Sequence, residues 1–191
     1  MNVYPIEAGN FKLDGGAMFG VVPKSLWTKT NPADADNMIE MSSRCMLVEN
    51  SDKLILVDTG MGDKQSEKFF KYYKRWGSDN LVKSINSAGF SIDDVTDVLL
   101  THLHFDHCGG AVAWDSSKEA YDVLFKNANY GSNEKHWDWA TNPNPREKAS
   151  FLDENLFPIK ESGQLKFISN MSKGFNYCEE LGCLLYTSPS P

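Results

Sequence analysis

THLHFDHCGG, residues 101–110, places histidines at 102, 104 and 107 and an aspartate at 106 in one short segment. The chain has four histidines, so most of its imidazole is gathered here. The apolar run VTDVLL at 95–100 leads straight into the segment and reads as a buried strand, which fixes where the loop begins. Neutral imidazole is a strong ligand for zinc and similar ions, and a carboxylate adds an oxygen donor. His102 and His104 are two apart and share a side of an extended segment, whereas Asp106 and His107 are adjacent and point in different directions. One ion does not easily take all four. Two neighbouring ions do, with His102 and His104 on one and Asp106 and His107 on the other. Gly109 and Gly110 let the backbone turn sharply behind such a site. The plain alternative is a histidine-rich surface loop without metal.

Working outward, residues 2–7 and 16–22 read as strands around a glycine-rich turn, and 23–37 as a loop with two prolines. Residues 38–49 and KLILV at 53–57, joined by Asn50-Ser51-Asp52, suggest an antiparallel hairpin. Asp58-Thr59-Gly60 follows as a loop. Helices are expected over 66–76 and 79–88, the second stopped by Gly89. A strand is expected over 120–127, helices over 132–140 and 146–156 on either side of NPNP at 142–145, and a strand over 164–169. This order fits a layered α/β arrangement, and no internal repeat is present.

THLHFDHCGG resembles the HxHxDH signature of the metallo-β-lactamase fold superfamily, and LILVDTGMG at 54–62 resembles that superfamily's earlier strand ending in Asp-x-Gly. GAMFGVVPKSLW and ATNPNPREKASF give the chain the flavour of the quorum-quenching lactonase and organophosphate-hydrolase-like branch. The resemblance covers most of residues 1–170. It implies an αββα sandwich, of which mainly the N-terminal half is present. It also implies a dinuclear site at one edge, holding zinc, or else manganese or iron. His102, His104, Asp106 and His107 would be ligands. Asp106 would also orient the nucleophile, a metal-bound hydroxide, or shuttle a proton. Asp58 would stand behind the ligands as a hydrogen-bond partner, the alternative for it being a turn-forming aspartate.

The resembling pattern needs a further histidine, a bridging aspartate and a last histidine. The only histidine after His107 is His136, in NEKHWDWA, which reads as a surface or packing histidine beside Trp137 and Trp139. CLLYTSPSP at 183–191 is uncharged and reads like a translated sequencing adapter. The expectation is an incomplete domain over 1–182 and a non-native tail over 183–191, a genuine Ser/Pro-rich tail being the alternative. Cys108 reads as a small residue packed behind the loop, a further metal ligand being the alternative. Met18, Phe19 and Trp27 line a substrate pocket or pack in a hairpin. Tyr130, Trp137, Trp139 and Phe151 form an aromatic set after the metal loop, which caps the site or packs in a dimer, a plain amphipathic role being the alternative.

With 41% hydrophobic and 24% charged residues, the composition is that of an ordinary globular domain. A formal net charge of -7 argues against nucleic acid, since no basic run exists to displace counterions from phosphates. No apolar stretch reaches the roughly 20 residues of a membrane span. The first residues lack a signal-peptide pattern, and the four cysteines form no CxxC pair. A cytoplasmic location is the default expectation. The expected partner is a small-molecule substrate, with a homodimer possible for the full-length protein. Three functions stay open. The first is a metal-dependent hydrolase of an ester, lactone or related carbonyl compound. The second is a glyoxalase II-like thioesterase or mononuclear iron persulfide dioxygenase. The third is a non-catalytic, truncated or degenerate metal-binding protein.

Overall fold

A computed structural model describes residues 1–168 and the backbone of two short strands, 176–178 and 183–185. The chain opens with β1 (Asn2–Asp14), which runs seven residues past its expected end and pairs antiparallel with β2 (Met38–Asn50) from Asn2↔Glu49 to Asp14↔Met38. The register shifts between Glu7 and Asn10, around Gly9 at φ +130°, so β1 continues beyond a bulge. The strand expected over 16–22 is not formed. The Asp14 carboxylate accepts from the Ala17 amide and starts a short helix, α1 (Gly15–Phe19), followed by α2 (Lys24–Trp27). The hairpin expected for 38–57 is present, with β3 (Lys53–Val57) antiparallel to β2 and Ser51 at positive φ in its turn.

Next come α3 (Glu67–Tyr73), capped by the Ser66 hydroxyl, and α4 (Leu81–Ser87), capped by Asn80. α3 ends earlier than expected because Lys74 takes the left-handed conformation at φ +40°. β4 (Asp97–Leu99) then leads to the histidine loop with its one-turn helix α5 (Phe105–Cys108). β5 (Val112–Trp114) and β6 (Tyr121–Val123) form a separate hairpin, and only β6 falls within an expected strand. β7 (Asn129–Ser132) precedes α6 (Glu134–Thr141) and was not expected at all, because Asn-Tyr-Gly-Ser carries no β-branched residue. The helix expected over 146–156 is instead a 3₁₀ turn at Lys148–Ser150 and a separate α7 (Asp153–Glu161). Between them Phe151 is extended and its ring is buried. β8 (Leu165–Phe167) completes the main sheet, and β9 (Asn176–Cys178) pairs with β10 (Cys183–Leu185). The boundary expected near Gly182 lies outside the described residues.

The main sheet has the order β1-β2-β3-β4-β7-β8. Its first three strands are antiparallel, while β3, β4, β7 and β8 are parallel, in the rows Val57↔Leu99↔Gly131 and Val98↔Tyr130↔Leu165. Side chains alternate along these strands. Ile6, Leu47, Leu56, Val98 and Tyr130 face one way and bury against Leu81 and Ile85 of α4, Trp137 of α6 and Leu156 and Ile159 of α7. Val48, Ile55, Leu99 and Ile168 form a smaller cluster of their own. Of the αββα sandwich expected, the described residues build the six-stranded main sheet with the helices packed on it, and two separate two-stranded pairs. Among them no helix is long and apolar enough to cross a membrane.

Parallel strands send all their C-terminal ends to one edge. Asp58 follows β3, Thr101 and His102 lie just beyond β4, and Asn133 follows β7. Ligand sites in such sheets form at that edge, because the loops there can converge while the strands stay fixed.

Candidate metal centre

Asp58 is the hub of this edge. Its backbone is left-handed, at φ +59°, and its amide bonds the Leu99 carbonyl at 2.9 Å. The turn aims the carboxylate across the sheet edge at the next strand's loop. Oδ1 accepts the Thr101 amide at 2.8 Å, the Thr101 hydroxyl lies 2.9 and 2.8 Å from Oδ1 and Oδ2, and Oδ2 is 2.8 Å from His107 Nδ1. A carboxylate only accepts, so His107 carries its proton on Nδ1 and turns the Nε2 lone pair the other way. The Thr101 hydroxyl spends its proton on Asp58. It is 3.3 Å from His102 Nδ1 and therefore accepts from it, which leaves Nε2 of His102 as the basic nitrogen. Both roles that the sequence left open for Asp58, turn former and partner of the histidine loop, are filled by the same residue.

The rings come together. The His102 centroid is 3.9 Å from His107 and 4.7 Å from His104. His104 ends its extended segment and opens α5, accepting the amides of His107 and Cys108 at 3.0 Å each. The tight turn brings Asp106 Oδ2 within 3.6 Å of His107 Nε2, closer than adjacent, diverging side chains were expected to be. Among the described residues no group of three or more His, Cys, Asp or Glu side chains could by itself hold a metal ion. The donors that are present suit zinc, with neutral imidazoles, basic Nε2 atoms and a nearby carboxylate, but they supply part of a coordination sphere.

Burial sets the charge of these rings. It pulls His102 down to about 4, helped by the neighbouring His107 and His104, and it also lowers His104. For His107 burial acts in the same direction, but the Asp58 hydrogen bond and the Asp106 and Asp58 charges outweigh it, and its pKa is raised. His102 and His104 are thus neutral, ligand-ready bases near pH 7.

Two loops are locked behind the histidines. Thr59 gives both its amide and its hydroxyl to the His107 carbonyl, at 2.8 and 2.9 Å, and the Gly110 amide bonds Gly60 O at 2.9 Å. Lys64, which is 3% exposed, donates to Gly109 O at 2.5 Å. Nothing in DTGMGDK marks Lys64 as buried, and sequence reasoning missed both it and Thr101. Burial lowers the Lys64 pKa to about 8, against the partial support of Glu154 and Asp63. Below that value the folded state holds a poorly solvated ammonium. As pH climbs from about 8 towards 10.5, the folded chain has shed this proton while the unfolded chain has not, so folding gains. Wild-type stability relative to Lys64→Met is therefore expected to rise across that window in urea titrations. A difference that stays flat with pH would show that Lys64 keeps its ordinary basicity.

Other candidates settle into packing roles. Cys108 is fully buried, its thiol donates to Leu103 O at 3.3 Å, and burial pushes its pKa up to about 12. Phe19 stacks on the buried Trp27 at 4.9 Å, while Met18 stays exposed. Tyr130 and Trp137 are core residues, and Trp139 is exposed with its indole N–H on Glu147. Phe151 does reach the centre, its ring 4.9 Å from His104 and 5.9 Å from His136. A cavity of about 380 Å³ lies among Phe11, Met61, Arg75, Trp76 and Gly110, and none of the four histidines lines it.

His136 refines the sequence reading of a surface or packing histidine: it packs against the histidine loop and Phe151. Its Nε2 accepts the Leu103 amide at 3.0 Å, and its ring is 6.5 Å from His102. The missed strand β7 explains this, because it delivers the start of α6 to the edge where the histidine loop lies.

A sequence profile of the Metallo-beta-lactamase superfamily matches residues 39–164. An N-acyl homoserine lactonase of Bacillus cereus is 28% identical over 104 residues, covering 49% of this chain and 40% of that protein. The crystal structure of a probable metal-dependent hydrolase from Staphylococcus aureus superposes with a TM-score of 0.79 at 29% identity, over 91% of this chain and 62% of that one. AidC, described as a dizinc quorum-quenching lactonase and solved with a homoserine product, superposes with a TM-score of 0.63 at 25% identity, over 91% and 61%. The chain thus matches less than two thirds of the length of each of these relatives.

Proposed function

Because the chain belongs to the metallo-beta-lactamase superfamily, we propose that it carries part of the metal centre of a hydrolase acting on an ester, lactone or related carbonyl substrate. His102, His104, Asp106 and His107 are the metal ligands in this reading. Zinc is the metal, two ions per complete domain, with manganese or iron able to take the same donors. The lactone is favoured by the relatives, whose names include N-acyl homoserine lactonase.

The observation that supports this most is the locked tautomer of the two imidazoles. Asp58 holds His107 directly and His102 through Thr101, so both rings are oriented before an ion arrives, and His107 gives up, on binding one, the proton that its carboxylate neighbours favour. A bound divalent metal supplies Lewis acidity towards a carbonyl oxygen and lowers the pKa of water. The chain's own residues do the rest. Asp58 fixes ring orientation, Asp106 offers a carboxylate oxygen beside His107 for a proton in transit, and Phe151 shields the His104 face from water. A second reading, metal binding without turnover, is favoured by the lack of a closed three-ligand group among the described residues.

Zinc titration of the 191-residue chain, with lactone hydrolysis followed in parallel, tests both readings. The expected result is fewer than two tightly held ions per chain, lost in the His102→Ala, His104→Ala double variant, with little lactone hydrolysis. Full loading with rapid turnover would remove the second reading. Zinc uptake unchanged by the double substitution would remove both.

A further inference from the structure

We propose that His136 is a positioning residue of the metal centre, pinning the peptide between His102 and His104 rather than binding metal itself. The inference rests on the metallo-hydrolase reading and extends it to a residue outside the HxHxDH motif.

Leu103 is held at each of its three groups. Its side chain is fully buried in the main core, its carbonyl accepts from the Cys108 thiol at 3.3 Å, and its amide donates to His136 Nε2 at 3.0 Å. Neighbours in an extended segment point to opposite sides, so anchoring Leu103 inward turns His102 and His104 outward together. A one-residue slip here would bury the two imidazoles and expose the leucine. An amide hydrogen bond is one of the few contacts that opposes such a slip directly, since it acts on the backbone.

Neutral imidazole has one acceptor nitrogen. With Nε2 of His136 taken by Leu103, its proton resides on Nδ1 and neither nitrogen is free for an ion. Helix α6 keeps the ring in place. The Asn133 side chain caps the helix by accepting the His136 amide at 3.1 Å, and Phe151 packs against the imidazole. Asp58 and His136 therefore grip the loop from two different strand ends, the one through Thr101 and His107 and the other through Leu103.

The test compares His136→Gln, whose side-chain oxygen can accept the same amide, with His136→Phe, which keeps a ring and loses the acceptor. In the metal-free chain, His136→Phe is expected to speed hydrogen exchange of the Leu103 amide at least about tenfold, and cobalt affinity is expected to fall about tenfold, the low end for a residue that supports ligands. His136→Gln should keep both near wild type. Equal losses in both variants would mean that the histidine matters only as packing, and wild-type behaviour in His136→Phe would overturn the proposal outright. Should His136→Phe fail to fold, nitrogen chemical shifts of His136 in the wild type decide instead: an Nδ1–H tautomer supports the pin, an Nε2–H tautomer excludes it. If the wild-type chain takes up no cobalt, the metallo-hydrolase reading fails, while Leu103 exchange still decides whether His136 holds the loop.

Discussion

Asp58→Asn is expected to weaken zinc or cobalt binding by roughly ten- to a hundredfold, the cost typical of losing a residue that orients metal ligands, while leaving the melting temperature close to wild type. Position 58 has two separate jobs. The left-handed backbone is one, and aspartate and asparagine tolerate it far better than other non-glycine residues. The carboxylate is the other, accepting from Thr101 and His107 together. Asparagine keeps the first job and half of the second. Its oxygen can still take Thr101, but its NH₂ then faces a ring N–H, and His107 loses its tautomer lock. Asp58→Ala should lose affinity at least as far and also lower stability, by about 1 kcal/mol or more for the backbone strain alone. Competition with a chromophoric chelator reads the affinities, and thermal melting reads the fold. Wild-type affinity in Asp58→Asn would show that the Asp58 contacts do not serve the metal centre.

Gly110→Ala carries the largest expected penalty for the fold. A Cβ at Gly110 overlaps the Thr59 carbonyl, and one at Gly109 overlaps the backbone of Met61. The loop opposite cannot retreat, because Thr59 is bonded to His107 O and Lys64 to Gly109 O. Overpacking against a flexible side chain costs about 1–3 kcal/mol, and against fixed backbone the upper end or more applies. A loss of about 3 kcal/mol or more is expected in urea denaturation, together with impaired metal uptake, since His107 rides on the same loop. Gly89→Ala is the control. Gly89 has φ +94° but open space around it, so only the strain of positive φ remains, about 1 kcal/mol. Similar losses in the two variants would show that close approach of the two loops does not limit stability.

Much of the site is written in the local sequence. Three histidines and an aspartate behind an apolar strand point to metal chemistry whatever the fold around them, because few other uses require so many imidazoles at that spacing. Asp-Thr-Gly after KLILV is equally local, and the hairpin over 38–57 follows from alternation and a polar turn. The errors have a common origin. Residues 8–14 look irregular alone and become strand because a partner strand supplies their hydrogen bonds across a bulge. Residues 146–156 have helical composition, yet Phe151 leaves the helical path to bury its ring beside His104. Asn129–Ser132 lacks strand propensity and is a strand because β4 and β8 flank it.

By itself, then, the sequence determined which imidazoles and carboxylate are gathered, their spacing and the strand that leads to them, since those depend on contacts within a dozen residues. Only the tertiary structure decided which way each imidazole faces and what holds it there. Asp58 meets His107 across 49 positions, Lys64 meets Gly109 across 45, and His136 meets Leu103 across 33. Those meetings are set by the parallel order β3-β4-β7, which brings three strand ends to one edge. Local patterning cannot encode that order, because strand pairing is a choice among distant partners settled by which arrangement buries the most apolar surface with its backbone hydrogen bonds satisfied.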